Sequence, residues 1–149
     1  MVETAIGLGL VMSLIFSETL GLAAGGMVVP GYMALMIHEP LRILGTVTCA
    51  LLTLGSLKLL SRYTLIYGRR RIVVAILIGF VFGALSRDLL LIRYHDLPID
   101  LRTVGFVIPG LIANWMERQG VIPTLCVMIT TAVLVRLLLM LISGGNLIR

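Results

Sequence analysis

Charge is scarce in this chain. Only 13% of its 149 residues are Asp, Glu, Lys or Arg, against roughly 25% in soluble domains. That excludes an ordinary water-soluble fold. Acids are the scarcer sign, with 7 Asp and Glu against 12 Lys and Arg. The two cysteines, Cys49 and Cys126, sit inside apolar runs. They read as small hydrophobes, with no disulfide or metal spacing around them. His38 and His95 are far apart and belong to no metal-ligand motif. The chain also lacks a nucleotide-binding loop and a Ser/His/Asp array. Nucleotide, metal and triad chemistry therefore have no residues to work with here. The first residues lack a basic n-region, and apolar segments continue after them, so no cleavable signal is expected.

What remains is hydrophobic. Apolar residues make up 59% of the sequence, and the mean hydropathy is +1.11. An all-α integral membrane protein is predicted, a single membrane domain over 1–149. At about 20 residues per crossing it holds roughly four to six segments. No separate soluble domain fits.

One decapeptide pattern occurs twice: Gly26-Met27-Val28-Val29-Pro30-Gly31-Tyr32-Met33-Ala34-Leu35, and Gly105-Phe106-Val107-Ile108-Pro109-Gly110-Leu111-Ile112-Ala113-Asn114. Proline fixes its own φ and lacks an N–H, and glycine reaches backbone angles that other residues avoid. Each copy therefore predicts a helix break inside apolar sequence. At membrane depth a break must be buried in protein or line a cavity. Matching breaks in two halves of a chain point to a site or pathway. Simple kinks at helix ends are the alternative.

In order, the first span is expected over about 4–24, with Gly21 and Gly25 at a close-packing spacing. It contains Glu18, an acid expected to face protein or water unless it sits at headgroup level. The first Pro-Gly element, about 26–37, is too short for a normal crossing. A second span follows over about 41–60. The run Lys58 to Arg71, with Arg62, Arg69, Arg70 and Arg71, holds five basic residues and no acid. It is the strongest cytoplasmic-side signal in the chain. A third span is expected over about 72–92, with Gly79 and Gly83 at another close-packing spacing. The stretch from Arg93 to Arg102 mixes both signs and reads as a solvated loop. The second Pro-Gly element reaches about Met116, with Trp115 as an interfacial anchor and Asn114 and Gln119 needing partners if buried. The fourth span, about 121–142, carries Arg136 among leucines. That residue either snorkels or meets an acid or an anion.

The chain thus reads as two related units, about 4–67 and 72–142, each a span, a Pro-Gly-broken short helix and a span. Two topologies remain open. Re-entrant breaks give four full spans, with both termini inside and Arg118 outside. Short crossings give three passes per unit, inverted units, and Arg118 inside. Close-packing glycines point to self-association.

Four blocks in order resemble the CapC/PgsC family, the small membrane subunit of bacterial poly-γ-glutamate synthesis. They are Ser13-Leu14-Ile15-Phe16 with Glu18, Val28-Val29-Pro30-Gly31-Tyr32 with Ala34-Leu35, Leu65-Ile66-Tyr67-Gly68-Arg69-Arg70, and Ile108-Pro109-Gly110-Leu111-Ile112-Ala113-Asn114 with Gln119-Gly120. The resemblance implies a non-catalytic subunit of the bacterial cytoplasmic membrane. Its expected partners are a CapB/PgsB-type cytosolic ligase, which would bring ATP and a divalent metal, a CapA/PgsA-type subunit, and the anionic polymer. No nucleic acid is expected, and no cofactor in this chain. It carries over no catalytic residue, and nothing for the charged stretch from Arg87 to Arg102.

The candidate polymer pathway comprises Pro30, Gly31, Tyr32, Pro109, Gly110, Asn114, Glu18 and Arg136. Helix-break N–H groups near Gly31 and Gly110 are candidates to bind carboxylates, and Glu18 to meet the growing amine end or an arginine. Arg62, Arg69, Arg70 and Arg71 are candidates to dock the ligase or contact the polyanion. An autonomous small anion transporter or channel is the alternative function, and a pure scaffold for the ligase a third.

Overall fold

A computed structural model describes residues 2–65, 68–93 and 106–144. Tyr67, Gly105 and the stretch 94–105, with His95, lie outside the described residues. The described structure is helical: α1 (Val2–Leu20), α2 (Val29–Leu35), α3 (Pro40–Tyr63), α4 (Arg69–Arg93), α5 (Ile108–Gln119) and α6 (Val121–Ile142). Among the described residues three segments, Glu3–Leu20, Pro40–Tyr63 and Val121–Ile142, are long and apolar enough to cross a membrane. The 25-residue α4 has the length, but opens on three arginines and carries Arg87 and Asp88 near its end.

The proline of each break begins a helix. Pro30 and Pro109 lie in the first turns of α2 and α5, and Pro40 begins α3. There the missing N–H costs nothing, because the first turn has no partner for it. The expected first span is longer than α1, which stops at Leu20. Gly21, Gly25 and Gly26 all have positive φ, a conformation open to glycine and strained for other residues. The Gly21–Gly25 spacing therefore makes a turn, not a helix-packing face. Conversely α4 starts earlier than expected, so Arg69, Arg70 and Arg71 are helical.

Helix directions follow from the contacts. α2 runs back along α1: Ser13 Oγ donates to the Gly26 carbonyl at 3.4 Å, Gly9 meets Gly31, and Ala5 and Ala34 share one apolar cluster. α5 runs back along α4 in the same way, with Arg71 at Glu117, Gly79 at Gly110 and Phe80 at Phe106. The short helices also pack across the chain, α2 against α6 and α5 against α3.

The core joins α2, α3, α5 and α6 through residues such as Met33, Leu54, Ile112, Met116 and Met128. Four threonines are buried with it. Thr46, Thr53, Thr124 and Thr131 are fully buried, and each donates its hydroxyl to the carbonyl one turn earlier. Such pairing satisfies a polar group inside a low-dielectric interior. The outward faces are apolar too: Val11, Ile15, Leu44, Leu52, Leu77, Val81, Ile129 and Leu137 are all exposed. An apolar exterior on the long helices suits lipid as the surrounding solvent.

Candidate functional site

The two Pro-Gly elements are the tightest places in the fold. A Cβ added to Gly9 would lie 2.6 Å from the Gly31 Cα and amide nitrogen. A Cβ added to Gly79 would lie 2.5 Å from the Gly110 nitrogen and 2.6 Å from its Cα. In return, Gly31 abuts Ala5 and Ile6, and Gly110 abuts Ala75 and Ile76. Backbone thus lies on backbone at both breaks, which only glycine permits. Pro30, Gly31, Pro109 and Gly110 are buried. The amide nitrogens of Gly31 and Gly110 lie against α1 and α4. The nearby cavity instead meets the elements at Val28, Val29, Val107 and Ile108.

Arg62, Arg69, Arg70 and Arg71 mark one end of the bundle, called here the basic end. The first three are exposed. Arg71 is half-buried and pairs with Glu117 at the end of α5, its Nε donating to Oε2 at 2.9 Å. Arg118 beside it lies over the Trp115 ring at 5.6 Å. Gln119 holds the turn after α1: it accepts from the Ala23 N–H at 3.0 Å, donates back to the Ala23 carbonyl, and donates to Thr124 at 3.0 Å. The side chain behaves like one rung of a strand ladder, closing the backbone groups that the glycine turn leaves open. Asn114 is buried within α5. Glu18 is exposed in the last turn of α1, not enclosed by protein.

At the far end, Arg136 is half-buried and donates to the ring of His38, after the first Pro-Gly element. Of the two expectations for it, snorkelling or pairing with an acid or an anion, the structure shows neither acid nor anion but an imidazole among the described residues. Thus the structure separates the candidate pathway residues. The Pro-Gly pairs sit mid-bundle, Arg136 lies at the far end and Glu18 toward the basic end.

Between the two elements lies a cavity of about 490 Å³. Its apolar walls include Val28, Val107 and Leu111, and Tyr32 also lines it. Two arginines reach it, Arg42 from the first turn of α3 and Arg87 from late in α4. Arg42 pairs with Glu39. The Arg87 guanidinium lies 4.6 Å over the ring of Phe106. Its buried Nε has no hydrogen-bond partner among the described residues. Along α3 and α4, these residues stand about 30 Å and 24 Å from Arg62 and Arg71, at 1.5 Å rise per residue.

A family model described as capsule biosynthesis CapC matches residues 8–125. The chain belongs to the CapC family. Curated relatives include the PGA biosynthesis protein CapC of Bacillus subtilis (strain 168), 38% identical over 120 residues, 78% of each chain. Another is the capsule biosynthesis protein CapC of Bacillus anthracis, 35% identical over 120 residues, again 78% of each chain. No solved structure matches. The CapC match includes both Pro-Gly elements, the basic end and the cavity.

Sequence reasoning passed over Arg42 and left Arg87 without a role. One signal was present: Phe106, Val107 and Ile108 precede the second Pro-Gly, just as Met27, Val28 and Val29 precede the first. Two such strips of apolar residues, each ahead of a break, have to face something, and here both border one cavity. That arginines from α3 and α4 join them depends on helix packing, which no local motif encodes.

Proposed function

We propose that this chain is a non-catalytic, multi-pass subunit of a bacterial cytoplasmic-membrane complex that makes poly-γ-glutamate. The observation that carries the reading is membership of the CapC family across both Pro-Gly elements. In this reading a CapB/PgsB-type cytosolic ligase supplies ATP-dependent amide chemistry with its own metal, and a CapA/PgsA-type subunit takes part in handling the polymer. Arg62, Arg69 and Arg70, exposed at one end, dock the ligase or receive the polyanion there. Arg71 is engaged with Glu117 and serves to hold α5.

We propose further that each Pro-Gly element makes a short crossing, so that the two units are inverted. The antiparallel pairs α1–α2 and α4–α5 support this, as does Arg118 lying at the same end as Arg71. Inverted units joined at broken helices place their sites near mid-membrane. The glycines at the breaks are used within the chain, so self-association would have to rest on other faces.

The test is ligase fractionation together with polymer yield. Membranes carrying this chain should retain the cognate ligase, and Arg69→Ala with Arg70→Ala should release it and lower the yield. Retained ligase and normal yield in the double variant would remove the docking role. An autonomous anion transporter would move solute in proteoliposomes without any ligase, and a pure scaffold could be replaced by an unrelated anchor fused to the ligase.

A further inference from the structure

The cavity between the two Pro-Gly elements contains an arginine whose buried Nε–H has no hydrogen-bond partner among the described residues. A buried donor without a partner is costly, the more so when it is charged, so such groups in native folds call for an explanation. Arg42 is already committed to Glu39. Arg87 has only the face of Phe106, with its Nε buried and unpartnered among the described residues. Asp88, next in sequence, is exposed. Among the described residues that line it, the cavity has two arginines and no acid, and Glu39 reaches only Arg42 of the two. A guanidinium fixed by stacking presents a planar fork, which matches a carboxylate in two-point contact. Tyr32 adds a hydroxyl, and Val28, Val107 and Leu111 supply an apolar wall.

We infer that this cavity binds a short carboxylate-bearing segment of γ-linked glutamyl chain, with Arg87 as its anion contact. The inference rests on the proposed function for the identity of the ligand. The chemistry fits each part of such a segment. Every residue has an α-carboxylate for Arg87, and two methylenes for the valine and leucine wall. The volume of about 490 Å³ lies within the roughly 300–1,000 Å³ of small-molecule sites. Arg42 and Arg87 lie toward the end away from Arg62 and Arg71, so the site is a holding point beyond the basic end. A phospholipid headgroup offers similar anionic chemistry, and the test separates the two.

The experiment uses the full chain in nanodiscs of zwitterionic lipid and a fluorescent synthetic hexamer of γ-linked glutamate. Saturable binding is expected, weakened about tenfold or more by Arg87→Gln, since a two-point charged contact is lost. Arg87→Lys keeps the charge without the planar fork and should bind between the two. The same hexamer with its α-carboxylates amidated should not bind. Unchanged binding in Arg87→Gln, or equal loss from Arg70→Gln, would overturn the site. So would an anionic phospholipid retained through Arg87 that the hexamer cannot displace. If Arg87→Gln fails to fold, Arg87→Lys and the amidated hexamer decide. Arg87-dependent binding by a chain that proves dispensable for polymer synthesis would keep the site and remove the function. A chain required for synthesis whose binding ignores Arg87 would do the reverse.

Discussion

The two Pro-Gly elements share a decapeptide pattern but are finished differently. Each lays a glycine against a glycine, Gly31 on Gly9 and Gly110 on Gly79. The first then makes only the seven residues of α2, and its end meets α6 through His38 and Arg136. The second makes the twelve residues of α5, and its end is fixed by Glu117 to Arg71 and by Gln119 to Ala23. Leu35 in the first copy stands where Asn114 stands in the second. The long helices after the breaks keep the likeness. The buried threonines of α3, Thr46 and Thr53, and of α6, Thr124 and Thr131, fall at one constant offset, and Cys49, Ala50, Leu54 and Leu57 match Val127, Met128, Ala132 and Val135 in the same register. The shared features are those that backbone contact demands. The divergent ones are polar contacts at the ends, where an ion pair and a side-chain clamp hold one element and an arginine–histidine contact holds the other.

The comparison breaks first at the glycines. Gly9→Ala and Gly79→Ala should each destabilise the fold by about 1–3 kcal/mol, the usual cost of forcing a methyl into packed backbone. Thermal unfolding in detergent would show both melting lower. If one melts normally, the two elements are not equivalent in packing. Glu117→Gln comes next. It leaves Arg71 half-buried without its charged acceptor and should cost about 1.5–3 kcal/mol, the range for hydrogen bonds to charged groups. Rescue of the melt by Arg71→Gln in the same chain would show that the cost is the orphaned charge. His38→Ala at the first element should cost less, about 0.5–1.5 kcal/mol, because its contact with the Arg136 guanidinium is exposed and water can replace it. An equal or larger loss than Glu117→Gln would reverse the ranking of the two ends. Gly7→Ala is the smallest effect. Nothing lies within 4 Å of the added Cβ, so the melt should hold or rise, by at most about 1 kcal/mol from helix propensity.

Much of this was legible in the chain. Apolar runs predicted six helical segments, and α6 begins and ends where the sequence pattern put it. Pro30 and Pro109 marked two helix breaks, because proline's fixed φ and missing donor act locally, and the structure turns each break into a helix start. The glycines were harder to read. Gly21 and Gly25 have the spacing of a packing motif but lie in positive-φ turns, and spacing alone does not report φ. Gly9, which carries the close contact, has no motif in the sequence to single it out. For the candidate site, the basic end was visible as a run of one sign. The engagement of Arg71 by Glu117 was not, because it joins residues far apart in the chain. The Thr46/Thr53 and Thr124/Thr131 register was present as a pattern, and becomes meaningful once those side chains are seen to be buried.

The most direct measurement is ATP-dependent incorporation of labelled glutamate into polymer. Membranes would hold the cognate ligase, with and without this chain. The account predicts polymer only when the chain is present, with the yield falling in Gly9→Ala and Gly79→Ala as the fold is destabilised. Equal polymer in both membranes would contradict a role in synthesis.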